Sequence, residues 1–279
     1  MRLAVLITSF NRKNVTLAGL KSLKDALDTV DDLRYRIFLL DDASPDGTAN
    51  AVRSIFPDVD VIDGTGSLFW GRGVGWAYEA ARRTGSYDAY LLFNDDMVLD
   101  PDGVRAFFAD YREVNTRGPS MLGGATLAKD GSEITYSGFR KTSVLRPLAG
   151  VRIVPDGTLR PMDMPNGNFL LSPGPFFESV GGVDPTYFMG YADIDLGLTA
   201  RRHGVDLFLA RKPVGFCDSN PLTESLKTAS FKERLKILNR PIFQFFGYSH
   251  FVLKFAPRIL YPIYFLAFYI RRARLLVYP

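Results

Sequence analysis

A chain of 279 residues, 47% hydrophobic and 23% charged, has enough apolar side chain to close a large core, which excludes a disordered segment. The net charge of +4 conceals an asymmetry: residues 226–279 hold ten Lys/Arg against the single acid Glu233, so the first 225 residues net −5. Twelve Phe and Tyr among residues 241–279 make that segment as apolar as it is basic, which speaks against a nucleic-acid partner and for a membrane surface.

The opening apolar run Leu3–Ile7 passes at once into Thr8, Ser9, Asn11 and Arg12, the pattern of a first strand (Leu3–Thr8) and not of a signal peptide. Asn14–Leu27 follows as a helix with Leu17, Leu20, Leu23, Ala26 and Leu27 on one face, then Ile37–Leu40 as a second strand. Asp46–Ile55 reads as a helix, Val59–Ile62 as a third strand, Val74–Arg83 as a helix with Trp76 packed in the core, and Tyr90–Phe93 as a fourth strand running into Asn94, Asp95 and Asp96. This alternation predicts an α/β fold, a mostly parallel sheet flanked by helices, with ligands beyond the carboxyl ends of the strands.

From about Ser120 the pattern shifts to short strands punctuated by Gly and Pro, and then to a helix from near Asp193 to Gly204, with His203 as a C-terminal cap. The uncharged runs Pro241–Leu253 and Ile259–Ile270, thirteen and twelve residues long, fall short of the ~20 a spanning helix needs. With no repeat or linker, the expected organisation is one domain over 1–225 in two halves, 1–116 and 117–225, and an amphipathic helical tail over 226–279 that meets a membrane or a second subunit.

Three acidic clusters carry the chemistry. Asp41, Asp42, Ser44 and Asp46 fall where the second strand gives way to a helix and can accept hydrogen bonds from a base and a ribose, although a turn of this composition can equally serve only to cap that helix. Asn94, Asp95 and Asp96 place carboxylates side by side with no Lys or Arg near in sequence, so a hard divalent cation is the expected neutraliser. Asp193 and Asp195 open the late helix beneath an aromatic loop, where an acid can be a general base or simply favour the positive helix end. The glycines of Trp70-Gly71-Arg72-Gly73-Val74-Gly75 have the wrong spacing and position for a dinucleotide fingerprint, and fit a close backbone approach to a ligand, with Trp70 and Arg72 beside sugar or diphosphate.

Together these residues resemble family 2 glycosyltransferases of the GT-A fold, particularly the bacterial enzymes that build surface polysaccharides, rhamnosyltransferases among them, over roughly residues 3–216. The resemblance implies that Thr8, Phe10, Asn11, Arg12, Asp41, Asp42, Ser44, Asn94 and Asp95 bind the nucleotide-diphosphate sugar, that Asp96 holds Mn²⁺ or Mg²⁺, and that Asp193 is the catalytic base of an inverting transfer. Asp46, Gly47 and Thr48 complete the second motif, Gly167 to Ser172 and Gly181 to Asp184 match the approach to the third, and Arg72 or Arg201 would help the leaving diphosphate. Ala192 stands where the family usually has Glu, a departure that bears on an acceptor contact. The implied setting is the cytoplasmic face of the cell membrane, consistent with the lone Cys217, with a lipid-linked glycan acceptor and a homodimer as an option. A catalytically inactive nucleotide-sugar-binding scaffold is the competing reading; a nucleotidyltransferase is disfavoured because Thr8 to Arg12 contains no glycine.

Overall fold

The computed structural model describes residues 1–219, 226, 228–240, 243 and 245–277; the domain boundary expected at 225 and part of the run 241–253 lie outside them. A central sheet runs in the order 160–161, 206–216, 120–127, 169–173, 89–94, 2–9, 34–41 and 60–63, with the short strands β5 (Val98–Leu99) and β7 (Ile134–Tyr136) paired to 206–216 and 120–127, while β8 (Phe139–Lys141) and β9 (Gly150–Arg152) form a separate two-stranded sheet. Its parallel part comprises β1 (Arg2–Ser9), β2 (Arg34–Asp41), β3 (Asp60–Asp63) and β4 (Ala89–Asn94). Beyond β4 it becomes mixed. β11 (Phe169–Pro173) is antiparallel to β4 and to β6 (Ser120–Leu127), while β12 (Asp206–Phe216) runs parallel to β6 and antiparallel to β10 (Arg160–Pro161). The expected α/β sheet flanked by helices is present, all parallel in its N-terminal half and mixed beyond β4.

Alternation explains why β1 is apolar throughout. Leu3, Val5 and Ile7 point to one face of the sheet and Ala4 and Leu6 to the other, and all five are fully buried because helices cover both faces. The first face takes α1 (Lys13–Leu27) through Leu20, Leu23 and Leu27, and α4 (Pro101–Asn115) through Val104, Phe107 and Phe108. The second takes α3 (Phe69–Arg82), α5 (Gly174–Ser179) and α6 (Ala192–Arg202). The short α2 (Thr48–Ile55) contributes Val52 to the first layer.

Two expectations for α3 are corrected. The helix begins at Phe69 and not at Val74, so it contains all three glycines. Tertiary contact outweighs their poor helix propensity: a Cβ on Gly71 would meet the Tyr187 carbonyl oxygen at 2.3 Å, and one on Gly73 would meet the Thr8 Cγ2 at 2.5 Å. Gly71 and Gly73 therefore admit protein neighbours, whereas a Cβ on Gly75 would meet nothing within 4 Å. Trp76 is 43% exposed, because the buried face of the helix is Val74, Ala77, Tyr78 and Ala81 and Trp76 projects away from it.

Among the described residues the C-terminal segment includes the α-helices α7 (Phe231–Leu238), α8 (Phe245–Phe255) and α9 (Tyr261–Val277). A Ser230/Glu233 capping box starts α7. Inside the segment expected as a tail, α8 buries Phe251 and Val252, and Phe251 joins the second core layer. By contrast, α9 buries no residue; it rests on the other two helices through Phe265, Phe268 and Tyr269 against Phe245, and through Arg272, which donates to the carbonyls of Leu238 and Phe243. No helix among the described residues is long and apolar enough to cross a membrane.

Candidate active site

Strand order reverses at β1 and β4, and a cleft of about 510 Å³ opens at their carboxyl ends, as expected for an open α/β sheet. Of the residues singled out from sequence, Thr8, Phe10, Arg12, Asp42, Trp70, Asn94, Asp95, Asp96 and Asp193 line it. Asn11, Asp41 and Ser44 lie outside the lining, Asp41 at the end of β2 and Asn11 and Ser44 in the loops that follow β1 and β2. Asn11 and Ala43 adopt left-handed φ values of 52° and 57°, and the Asn11 amide donates to the Ser44 hydroxyl at 2.8 Å, which ties the loops after β1 and β2 together.

Several acids are already committed to backbone. Asp42 accepts from the amides of Gly66, Leu68 and Phe69 at 2.7, 2.8 and 3.0 Å, so its carboxylate pins the loop leading into α3. Asp46 accepts from the Lys13 amide at 2.8 Å and from the Thr48 amide at 3.1 Å, joining the starts of α1 and α2. Asp41 accepts from the Ser44 amide at 3.0 Å through Oδ2, while its buried Oδ1 has no hydrogen-bond partner.

The register of β1 against β4 pairs Thr8 with Asn94, so the residues that follow each strand meet at one level. Arg12 lands beside the two aspartates: its Nη1 lies 3.0 Å from Asp95 Oδ1 and 3.1 Å from Asp96 Oδ2. The aspartate pair thus has a neutralising arginine after all, supplied across the sheet and not along the chain. Asp95 is buried and also accepts from the Thr16 hydroxyl at 2.6 Å; burial pushes its carboxyl above the ordinary range despite the pull of Arg12. Asp96 is more open and faces the thiol of Cys217 at 3.8 Å, which burial and the Asp96 charge push up to about 12, so it stays a neutral thiol. Asn94 is held by neighbours, accepting from the Trp70 indole at 2.8 Å and donating to the Asn168 side chain at 2.6 Å. Asp95 and Asp96 offer hard oxygen donors at a cleft wall, a set that fits a divalent cation bound by one or two carboxylates and completed by phosphate.

Asp193 stands on the first turn of α6. Its carboxylate accepts from the amides of Gly167 at 2.9 Å and Ile194 at 2.9 Å, and burial pushes its pKa above the ordinary carboxylate range in spite of those bonds. A carboxylate made more basic in a cleft has the character of a proton acceptor. Gly167 is needed there, since a Cβ would meet the Trp70 ring at 2.7 Å and the Asp193 Cβ at 3.2 Å.

The two remaining arginines point elsewhere. Arg72 donates to the Pro185 carbonyl at 3.0 Å and stacks on Phe188, and Arg201 pairs with Asp163 at 2.6 Å; neither lines the cleft, so the structure gives no contact between them and a leaving diphosphate. His203 caps α6 as expected, its Nδ1 lying 2.9 Å from the Thr199 carbonyl oxygen.

Sequence reasoning passed over Gly66, Tyr136 and Asn166, which also line the cleft, gave no role to Asn168, Met189 and Gly190, and missed a polar cluster behind α6. There Lys254 of α8 donates to Asp195 at 2.6 Å and lies 3.6 Å from Asp184, Tyr187 donates to Asp195 at 2.8 Å, and His250 sits 2.9 Å from Asp184. Burial raises Asp184, but the Thr186 amide and His250 outweigh it and hold the carboxyl below its usual range. Asp184, Asp195 and His250 present atoms within 4.8 Å of one another, a spacing a metal could use, but the Lys254 ammonium already lies against both carboxylates. No motif signals this cluster, because its partners are 59 and 66 residues apart in sequence.

Residues 4–117 match glycosyl transferase family 2. A low-salt glycan biosynthesis hexosyltransferase of Haloferax volcanii is 20% identical over 185 residues, which are 66% of this chain and 59% of that protein, so the chain spans less than two thirds of that relative. Among solved structures, a mannosyltransferase of Pyrobaculum calidifontis in complex with GDP-Man and Mn²⁺ superposes with a TM-score of 0.55 at 16% identity, covering 99% of this chain and 72% of the other. Residues 1–349 of S. aureus TarS in complex with UDP-GlcNAc give a TM-score of 0.55 at 12% identity, covering 99% and 82%. At these identities the structural likenesses show the fold, the GT-A fold, and the match to glycosyl transferase family 2 covers residues 4–117.

Proposed function

We propose that the protein transfers a hexosyl residue from a nucleotide-diphosphate sugar to a hydroxyl of a glycan acceptor, with inversion and with a divalent cation at Asp96. The observation that carries this reading is that one cleft holds both the Asp95–Asp96 pair and an Asp193 whose carboxyl is pushed up by burial. The nucleoside lies over the ends of β1 and β2, beside Thr8, Phe10 and Asp42. When bound, the cation neutralises the diphosphate and makes it a better leaving group.

Asp193 accepts the proton of the acceptor hydroxyl as that oxygen attacks the anomeric carbon. The bond to the diphosphate oxygen breaks on the opposite face, and one displacement inverts the configuration. Backbone amides of Gly167 and Ile194 orient the carboxylate without protonating it. General-base help of this kind is typically worth about 10²–10⁴-fold. The relatives in complex with GDP-Man and UDP-GlcNAc make those two nucleotides the first donors to try, alongside the dTDP sugars of the rhamnosyltransferase resemblance.

The acceptor reading follows from α9. Ile263, Leu266, Ile270 and Val277 recur at helical spacing and are 61%, 62%, 58% and 58% exposed, beside Arg271 and Arg274. An apolar stripe flanked by cations fits the headgroup region of an anionic leaflet, which would hold the cleft near a lipid-linked glycan in surface polysaccharide synthesis on the cytoplasmic face.

Melting temperature is the direct test, measured against UDP, GDP, dTDP and CMP with and without Mn²⁺. A ligand at 100 times its Kd stabilises by about 2.7 kcal/mol. A cation-dependent rise with one nucleotide is expected; no rise with any would leave the scaffold reading without its ligand and the transferase reading without its donor.

A further inference from the structure

Building on the transferase reading, we propose that Arg12 and the divalent cation compete for the same carboxylate pair, so that cation and nucleoside diphosphate bind together and not in sequence. Arg12 Nη1 bridges Asp95 Oδ1 and Asp96 Oδ2 at 3.0 and 3.1 Å. The other oxygen of Asp95 is taken by Thr16 at 2.6 Å, and the Asp95 side chain is only 3% exposed. The oxygens that face a cation are therefore those that Arg12 now contacts, together with Asp96 Oδ1, which faces the Cys217 thiol, so the cation and the guanidinium charge meet at the same atoms. A cation bound to this pair would lie about 2.0–2.3 Å from each oxygen it uses, in the space of the guanidinium nitrogen.

Arg12 is placed to give way. It stands at the start of α1 with its side chain 40% exposed. A guanidinium is a planar fork suited to phosphate oxygens as well as to carboxylates. Bringing a diphosphate into the cleft supplies a second anionic partner, so the arginine can leave the aspartates as the cation takes them. Without the diphosphate, the cation has to displace Arg12 into water. The two ligands are then positively coupled, and by linkage each raises the affinity for the other by the same factor.

Arg12→Gln keeps a hydrogen-bonding side chain, shorter than that of Arg, and removes the charge. Mn²⁺ binding to the full chain, followed by the electron paramagnetic resonance signal of free Mn²⁺, is measured without nucleotide and with the diphosphate that raises the melting temperature. The expected result is Mn²⁺ binding about tenfold or more tighter in Arg12→Gln than in wild type without nucleotide, and a smaller gain on adding the diphosphate, within the 5–150-fold range usual for site coupling. Arg12→Lys, which restores the charge, should return toward wild type, and Arg12→Gln with Asp96→Ala should lose the gained site. Equal or weaker Mn²⁺ binding in Arg12→Gln overturns the competition, as does a gained site that survives Asp96→Ala. If wild type binds no nucleoside diphosphate at all, it is the transferase reading that fails; if it binds one with Mn²⁺ and Arg12→Gln gains nothing, only the competition fails.

Discussion

Asp42→Ala separates two roles that the same carboxylate could play. Read from the sequence, Asp42 contacts the nucleoside; in the structure it is buried and accepts from three backbone amides at 2.7–3.0 Å. A hydrogen bond to a charged group contributes about 1.5–3 kcal/mol, and a buried donor left without a partner costs about 1–3 kcal/mol. The Gly66 and Phe69 amides are only part-buried and can turn to water, whereas that of Leu68 cannot, so the expected net loss is about 2–4 kcal/mol. For a chain of this size that lowers the melting temperature by roughly 5–10 °C. Nucleotide binding should weaken too, because the freed loop carries Phe69 and Trp70 at the cleft wall. Asp42→Asn, which keeps one acceptor, should fall between. A variant that melts within about a degree of wild type yet no longer binds nucleotide would refute the anchoring role and restore the direct contact.

Other substitutions probe the rest of the site. Asp193→Asn should lower transfer by about 10²–10⁴-fold while nucleotide still binds. Its stability near neutral pH should match or exceed wild type: the raised carboxyl makes ionised Asp193 a cost to the fold that grows as pH rises through its folded value, and Asn removes that cost. For the same reason wild-type transfer should rise with pH along a limb lying above the ordinary Asp value of about 3.9, and a limb at or below that value would contradict the assignment. Gly167→Ala should lower kcat/KM by roughly 10²-fold, since the new Cβ pushes Trp70 and Asp193 from their places; unchanged kinetics would show that the two side chains have room to yield. Lys254→Met leaves Asp195 buried with Tyr187 and Thr199 as its remaining partners, and as Lys254 is itself 30% exposed the discounted loss is about 2 kcal/mol, read as a lower melting temperature.

The strands of the parallel half are legible in the sequence because their apolar runs are short, uniform and closed by polar residues at the level of the cleft. Local signals also suffice for α1 and for the acid-rich start of α6. The start of α3 is hidden, since the reason for its glycines lies in Thr8 and Tyr187, remote in sequence. Arg12 opposite Asp95 and Asp96 is hidden for a similar reason: the meeting depends on the β1–β4 register, which pairs residues 86 apart. Composition also groups α8 with α9 as a basic, aromatic tail, although Phe251 and Lys254 face the core side of α6 while Ile263 and Ile270 face outward. Charge and aromatic counts report what a segment contains, not which side of it is covered.

That difference decides how membrane attachment is tested. Deleting everything after 225 would remove α8 along with α9, taking Phe251 from the core and Lys254 from Asp195, so a loss of vesicle binding would be indistinguishable from unfolding. Ile263→Glu with Ile270→Glu alters only the exposed stripe. Burying a full Ile side chain is worth about 1.5–3 kcal/mol, and an Arg at an anionic surface about 1 kcal/mol, so two glutamates on the stripe remove most of the apolar gain and oppose the Arg271 and Arg274 charges. Wild type should float with phosphatidylglycerol vesicles, less so in high salt and weakly with phosphatidylcholine alone, and the double variant should stay at the bottom with its melting temperature unchanged. Equal flotation of the two would remove α9 as the contact. If wild type does not float but sediments as a dimer that the double variant dissolves, the stripe is a subunit interface, and the lipid-linked acceptor loses its structural support.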